Sequence, residues 1–166
     1  MGRVLLRHPT RADCPALIRA NVESRAYHLP WVEPFMEEKG FHAWLGRHLT
    51  GPHVSFVAIE EETSGIGGVI NLNEIVGGSF QSAYLGYYGM VRFQGRGLMR
   101  EAVGLAVRHA FDELGLHRVE ANIQPGNARS IALVKRLGFS LEGYSPRYLR
   151  ICGEWRDHER WAILAD

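Results

Sequence analysis

Arg92-Phe93-Gln94-Gly95-Arg96-Gly97-Leu98-Met99 joins a strand-like run to an amphipathic stretch through two glycines and two arginines. From Leu98 the apolar period becomes 3.6. Met99, Ala102, Val103, Ala106, Val107, Ala110, Phe111 and Leu114 form one stripe, and Gly115 is a natural stop. The first N–H groups of a helix lack intrahelical acceptors and carry partial positive charge, so a helix opening at Leu98 offers an anion site. Glycines let the backbone approach a phosphate with no Cβ in the way, and Arg92 and Arg96 add charge. The same residues also read as a tight strand-to-helix turn with solvated arginines. No Lys-Ser or Lys-Thr follows, as a P-loop requires, and the glycine spacing is not that of the dinucleotide fingerprint.

Working outward, Val4 to Leu6 reads as a first strand. Thr10 to Asp13 supply caps for a helix that carries Pro15 in its first turn, and Ala16, Leu17, Ala20 and Val22 continue its apolar face. Pro30 and Pro34 interrupt it, and a second helix is expected from Met36 to Leu49. Val54 to Ile59, Ile66 to Ile75 and Phe80 to Met90 read as a meander whose first turn, Glu60 to Gly65, is solvated. Beyond the helix from Leu98, His117 to Ile123 is a strand and Asn127 opens a short helix closing at Gly138. From Phe139 the chain is β, turning at Gly153 before Arg160 to Leu164. This order predicts an α/β (α+β) domain, a single unit over residues 1–166, with one mixed, mostly antiparallel central sheet flanked by helices.

With 166 residues, 46% hydrophobic and 22% charged, the chain is globular rather than disordered. Its formal charge of +1 lacks the basic excess of a nucleic-acid binder. The opening run, Met1-Gly2-Arg3-Val4-Leu5-Leu6-Arg7, returns to charge after three apolar residues, unlike a signal peptide or membrane span. Cys14 and Cys152 sit in unrelated contexts and suggest neither a disulfide framework nor a metal site. A cytoplasmic protein with no direct nucleic-acid or membrane partner and no metal is expected.

The segment from Arg92 to Gly97 resembles the Arg/Gln-x-x-Gly-x-Gly/Ala signature of the GCN5-related N-acetyltransferase (GNAT) family. Asn127-Ala128-Arg129-Ser130 and Leu137-Gly138-Phe139 resemble its second motif block. Gly78-Ser79-Phe80, Ala83-Tyr84-Leu85-Gly86-Tyr87, Leu141-Glu142-Gly143-Tyr144 and Gly153-Glu154-Trp155-Arg156-Asp157-His158 narrow the likeness to the RimJ/RimL-type subgroup, nearest its RimJ branch. The resemblance implies the GNAT fold and an acetyl-CoA-dependent N-acetyltransferase. Its acceptor would be a protein N-terminal α-amine, the alanine of a small-subunit ribosomal protein, reached by direct transfer in a ternary complex. Acetylation of a small-molecule amine such as an antibiotic or toxin, or CoA binding without catalysis, are the other readings. The chain would act as a monomer or homodimer.

By the same resemblance, Met90, Val91 and Arg92 pair through their backbone with the pantetheine arm, and Gln94, Gly95, Arg96, Gly97, Leu98 and Met99 offer N–H groups to the pyrophosphate. Asn127 contacts the pantetheine, and Ser130 lies near the thioester sulfur. Asn127 also reads as an N-cap and Ser130 as a first-turn polar residue. Many relatives carry a glutamate base five residues before the motif asparagine and a tyrosine acid seven residues after it. Here those positions are Asn122 and Val134. Neither moves a proton, which leaves Ser130 as the candidate catalytic acid, directly or through water, and the N–H near Val91 to polarise the carbonyl. An α-amine titrates near ~7.7–8.0 and a lysine near ~10.4, so the former needs less help from a base. His28, Trp31, Tyr84 and Asp157 are the expected acceptor contacts.

Overall fold

Near-continuous apolar runs in the two strands over residues 54–60 and 66–72 bury both of their faces, and helices cover both. The computed structural model describes residues 3–166, so Met1 and Gly2 of the opening run lie outside the described residues. Strand β1 (Val4–Arg7) leads through a 3-10 turn (Arg11–Asp13) into α1 (Cys14–Glu23), the short α2 (Arg25–His28) and α3 (Glu38–Thr50). Strands β2 (Val54–Glu60), β3 (Ile66–Val76) and β4 (Ser82–Gly89) form the meander. Then come α4 (Leu98–Asp112), β5 (Arg118–Ile123), α5 (Ala128–Arg136), β6 (Ser140–Ile151) and β7 (Glu154–Leu164).

The sheet order is β1-β2-β3-β4-β5-β7-β6. Every pairing is antiparallel except β4 with β5. This is the mixed, mostly antiparallel sheet flanked by helices that the order of elements predicts. Phe56, Ala58, Ile70 and Leu72 face α4, packing against Ala102, Val103, Ala106 and Val107. Val57 and Val69, one residue out of phase, face α1 and α3 through Leu17, Phe41, Trp44 and Leu45.

The helix ends follow local chemistry. Gly115 (φ +66) and Gly138 (φ +95) take the left-handed conformation just past α4 and α5, where Leu116 N–H bonds the Ala110 carbonyl and Phe139 N–H the Val134 carbonyl. These are glycine-terminated C-caps. At the β6–β7 hairpin, Cys152 and Gly153 both have positive φ, which lets two residues reverse the chain. The last strand therefore begins at Glu154 rather than Arg160.

Two further expectations need correcting. Phe80 is 73% exposed in the turn ahead of β4, and Met90 ends the strand by capping a 3-10 turn (Val91–Phe93). Glu60 is not a solvated turn residue. It is buried and accepts from Thr63 N and Oγ1 at 2.8 and 2.6 Å, closing the hairpin.

Candidate active site

Strands β4 and β5 pair at only three positions, Ser82 with Arg118, Ala83 with Val119 and Tyr84 with Glu120. Beyond Tyr84 the two part: β4 stays on β3 as far as Gly89, and β5 stays on β7 as far as Ile123. Met90 N–H bonds the Gly67 carbonyl on the β3 side. Alternation in an antiparallel ladder then turns the Gly89 amide to the opposite edge, into the gap.

The start of α4 presses onto β3 and β4 because three glycines make room. A Cβ on Gly67 would stand 2.5 Å from Leu98 Cδ2, and one on Gly89 2.8 Å from Met99 Cγ; one on Gly68 would meet Met99 Sδ and, at 2.7 Å, the Tyr88 carbonyl. This floor draws the helix N-terminus to the mouth of the gap. Gly95 (φ +75) and Gly97 (φ +74) shape the loop ahead of it, and nothing lies within 4 Å of a Cβ built on either. A cavity of about 340 Å³ follows, lined by Gln94, Gly95, Gly97, Met99 and the guanidinium-bearing Arg100, Arg129 and Arg136. Arg129 lies over the Tyr27 ring at 4.7 Å.

A second cavity of about 110 Å³ shares Tyr27, Gly89, Met99, Arg129 and Leu133 with the first and continues it inward past His28, Trp31, Tyr87, Asn127 and Ser130. Asn127 caps α5, its side chain accepting from Ser130 N at 3.4 Å. Tyr87 Oη lies 2.5 Å from Ser130 Oγ, and burial pushes the phenol's pKa up to about 12 against the pull of that bond. His28 is buried, with Nε2 2.7 Å from the Gly89 carbonyl oxygen. Trp31 packs on the turn before Asn127, 3.2 Å from where a Cβ on Gly126 would sit.

The structure thus brings Gln94, Gly95, Gly97, Leu98, Met99, Asn127, Ser130, His28 and Trp31 around one cleft. Met90 lines the outer cavity with them, while other expected residues lie elsewhere. The Arg92 guanidinium pairs with Glu23 at 2.7 Å, and Arg96 lies over the Phe93 ring; both line a separate cavity of about 550 Å³ against α1. Val91 N–H donates to Ser24 Oγ at 3.0 Å and Met90 N–H goes to Gly67, so neither amide is free to polarise a carbonyl or pair with a ligand. Tyr84 is on the face of β4 opposite Leu85, at the closed end of the gap beside Glu120. Asp157 accepts from Tyr144 Oη at 2.5 Å and Arg147 N at 2.8 Å, clamping an irregular stretch of the β6–β7 hairpin. Neither Tyr84 nor Asp157 lines the cleft.

Sequence reasoning missed Tyr87, Arg100, Arg129 and Arg136. The arginines had a signal: Arg129 and Arg136 bracket α5, whose start the asparagine motif already marked. Asn122 Oδ1 is buried with no hydrogen-bond partner among the described residues, a neutral amide where the family resemblance leads one to expect a carboxylate. No group of three or more His, Cys, Asp or Glu is placed to hold a metal among those residues, and no helix there is long and apolar enough to cross a membrane.

Comparison with known proteins agrees with this geometry. The acetyltransferase (GNAT) domain model matches residues 3–140. The chain is 38% identical over 170 residues to the [ribosomal protein uS5]-alanine N-acetyltransferase of Escherichia coli, covering 97% of this chain and 87% of that one. The structure of the ribosomal-protein-S5-alanine acetyltransferase from Vibrio fischeri superposes with a TM-score of 0.88 at 26% identity, over 100% of this chain and 95% of that one. Mycobacterium smegmatis RimJ in complex with CoA-disulfide superposes with a TM-score of 0.89 at 28% identity, over 98% and 82%. The match spans the diverging strands, the glycine loop and the Asn127 helix together, and the chain belongs to the GNAT acetyltransferase family.

Proposed function

We propose that this acetyltransferase moves the acetyl group of acetyl-CoA to the N-terminal α-amine of a protein, an alanine of a small-subunit ribosomal protein, in a cytoplasmic setting. The observation that carries the reading is the divergence of β4 from β5. It sets an anion-binding loop at one end of a cleft, and Ser130 and the His28–Trp31 segment at the other. The full-length likeness to alanine N-acetyltransferases of ribosomal proteins supplies the acceptor.

The residues present suit acetyl-CoA. Open glycines, the first-turn amides of α4 and three arginines match a diphosphate with a further phosphate. Acetyl-CoA supplies an activated acetyl group and a thiol leaving group. Gln94 to Met99, with Arg100, Arg129 and Arg136, hold the phosphates. Gly89 N–H faces the gap and donates to the acetyl oxygen as charge develops there, taking the part expected of Val91. Asn127 anchors the arm, and Ser130 holds a proton at Oγ for the sulfur. With a neutral amide at Asn122, the cleft has no carboxylate at the usual base position, which suits an amine that is already partly neutral near pH 7.

The test is incubation with acetyl-CoA and peptides of one to about eight residues beginning with alanine, beside aminoglycosides and polyamines, with products read by mass spectrometry. Transfer that improves with peptide length supports the protein acceptor, because contacts beyond the first residue help orientation. Small amines turning over as well as the longest peptide refute it.

A further inference from the structure

We infer that Tyr87 is a positioning residue for acetyl transfer: from β4 it holds the Ser130 hydroxyl so that the serine proton faces the gap. The inference deepens the reading above and rests on its assignment of Ser130 to the leaving sulfur.

Tyr87 and Ser130 are on opposite walls of the cleft, one on a strand and one on a helix 43 positions away, and meet at 2.5 Å. Tyr87 Oη is also 3.4 Å from the Ser130 carbonyl oxygen. Each hydroxyl has one hydrogen, and the carbonyl can only accept. Two arrangements follow. Either the tyrosine donates to Oγ and frees the serine hydrogen, or the serine donates to Oη and the tyrosine turns to the carbonyl. Both use the short contact, and a carbonyl at 3.4 Å lies beyond a good O–H···O bond and adds little to the second. A phenol is the stronger donor and an alcohol oxygen the better acceptor, which favours the first. In it, the free serine hydrogen points away from Tyr87, toward the cavity the two residues share.

Tyr87 does not itself supply the proton in this arrangement, because its hydrogen is engaged on Ser130 Oγ. The step balances without it. The neutral amine nitrogen bonds the acetyl carbon, and the carbon–sulfur bond breaks with its pair going to sulfur. Ser130 Oγ–H passes to that sulfur as Oγ takes the surplus proton from nitrogen. Amide and thiol leave, and the tyrosine keeps its hydrogen throughout. A side chain that only filled space would also bond its hydroxyl to a neighbour, so the test must read turnover as well as folding.

The experiment is a double-mutant cycle of Tyr87→Phe and Ser130→Ala on the full chain, with kcat, KM for acetyl-CoA and thermal melting measured. Tyr87→Phe should lower kcat roughly threefold to tenfold, with KM within about twofold. In the Ser130→Ala background it should change kcat by less than about twofold. Incorporating 3-fluorotyrosine at position 87 keeps the donor and the ring, so kcat near neutral pH should stay within about twofold. Unchanged kcat in Tyr87→Phe overturns the inference, as does an equal loss with and without the serine. Full activity in Ser130→Ala overturns both it and the serine's assignment. The cycle is run with whichever amine is acetylated, so an acceptor other than a peptide revises the substrate alone and still decides Tyr87.

Discussion

His28 donates from Nε2 to the carbonyl oxygen of Gly89, 2.7 Å away, and so ties the segment after α1 to the open edge of β4. A carbonyl cannot donate, so Nε2 carries the hydrogen and Nδ1 the lone pair; Nδ1 is buried with no partner among the described residues. Burial holds the imidazole's pKa below its ordinary value, with the Gly89 bond pulling the other way. The loop that carries Trp31 is thereby pinned by a neutral ring.

That neutrality has a pH consequence. His48 and His109, which pack around His8 and Phe56, are also lowered, first by burial and then by the charge of His8. A group depressed in the folded chain titrates first in the unfolded one. The stability these three confer is complete above the unfolded value of 6.5 and is lost as pH falls through their lower folded values. Melting temperature should therefore decline between about pH 7 and pH 5. His109→Gln should flatten that slope, and a level profile in the parent chain would refute the assignment.

The placement of the arginines separates two readings of the phosphate site. Arg129→Ala and Arg136→Ala should each weaken CoA binding roughly tenfold or more, because a charge-assisted bond is lost. Arg92→Ala, whose guanidinium faces Glu23, should leave affinity within about twofold. Calorimetry with CoA, dephospho-CoA and pantetheine checks both claims. Equal losses for pantetheine would detach the arginines from phosphate.

Glycines on the two sides of the loop should fail differently. Gly97→Val meets no neighbour, but it forces a β-branched residue to φ +74, so CoA binding should fall while the protein melts cooperatively. Gly68→Val drives its Cβ against the Tyr88 carbonyl and Met99, so α4 must move and the melting temperature should fall by several degrees. Titration with CoA and thermal melting distinguish the two.

Acceptor contacts should track the cleft. Trp31→Ala should raise the KM for an alanine-led peptide more than that for acetyl-CoA, since the indole lines the inner cavity and packs on the turn before Asn127. Asp157→Asn should leave the peptide KM unchanged, because both carboxylate oxygens are engaged within the hairpin. Steady-state kinetics with varied peptide decide the pair, and a raised KM in Asp157→Asn would return that residue to the acceptor site.

The order of elements was legible because apolar period distinguishes strand from helix along most of the chain, and Gly115, Gly138 and Gly153 mark their ends by conformation. The first half of β7 was not, since Glu154 to Glu159 lacks an apolar alternation and is set by its two-residue turn. The glycine loop was legible as a motif, but which arginines line the cavity beside it was not. Arg92 and Arg100 flank the same loop in sequence, and only the turn of the chain sends one to α1 and the other to the cleft. The gap itself is pairing that does not occur between β4 and β5, and no residue type announces it. Tyr87 likewise reads as an ordinary strand aromatic until α5 is packed against it.

The short border between β4 and β5 divides the sheet into two sets of strands over one shared core. β1 to β4 hold one another by ladders interrupted only at bulges, as do β5, β7 and β6, and three residue pairs join the halves across the seam. Amide hydrogens lining the seam should exchange with solvent by local opening, at lower protection than those inside either half. An acetyl donor bound along the gap would take the place of the absent strand. At about a hundred times its dissociation constant it adds roughly 2.7 kcal/mol, and the protection it confers should rise on both banks of the seam at once.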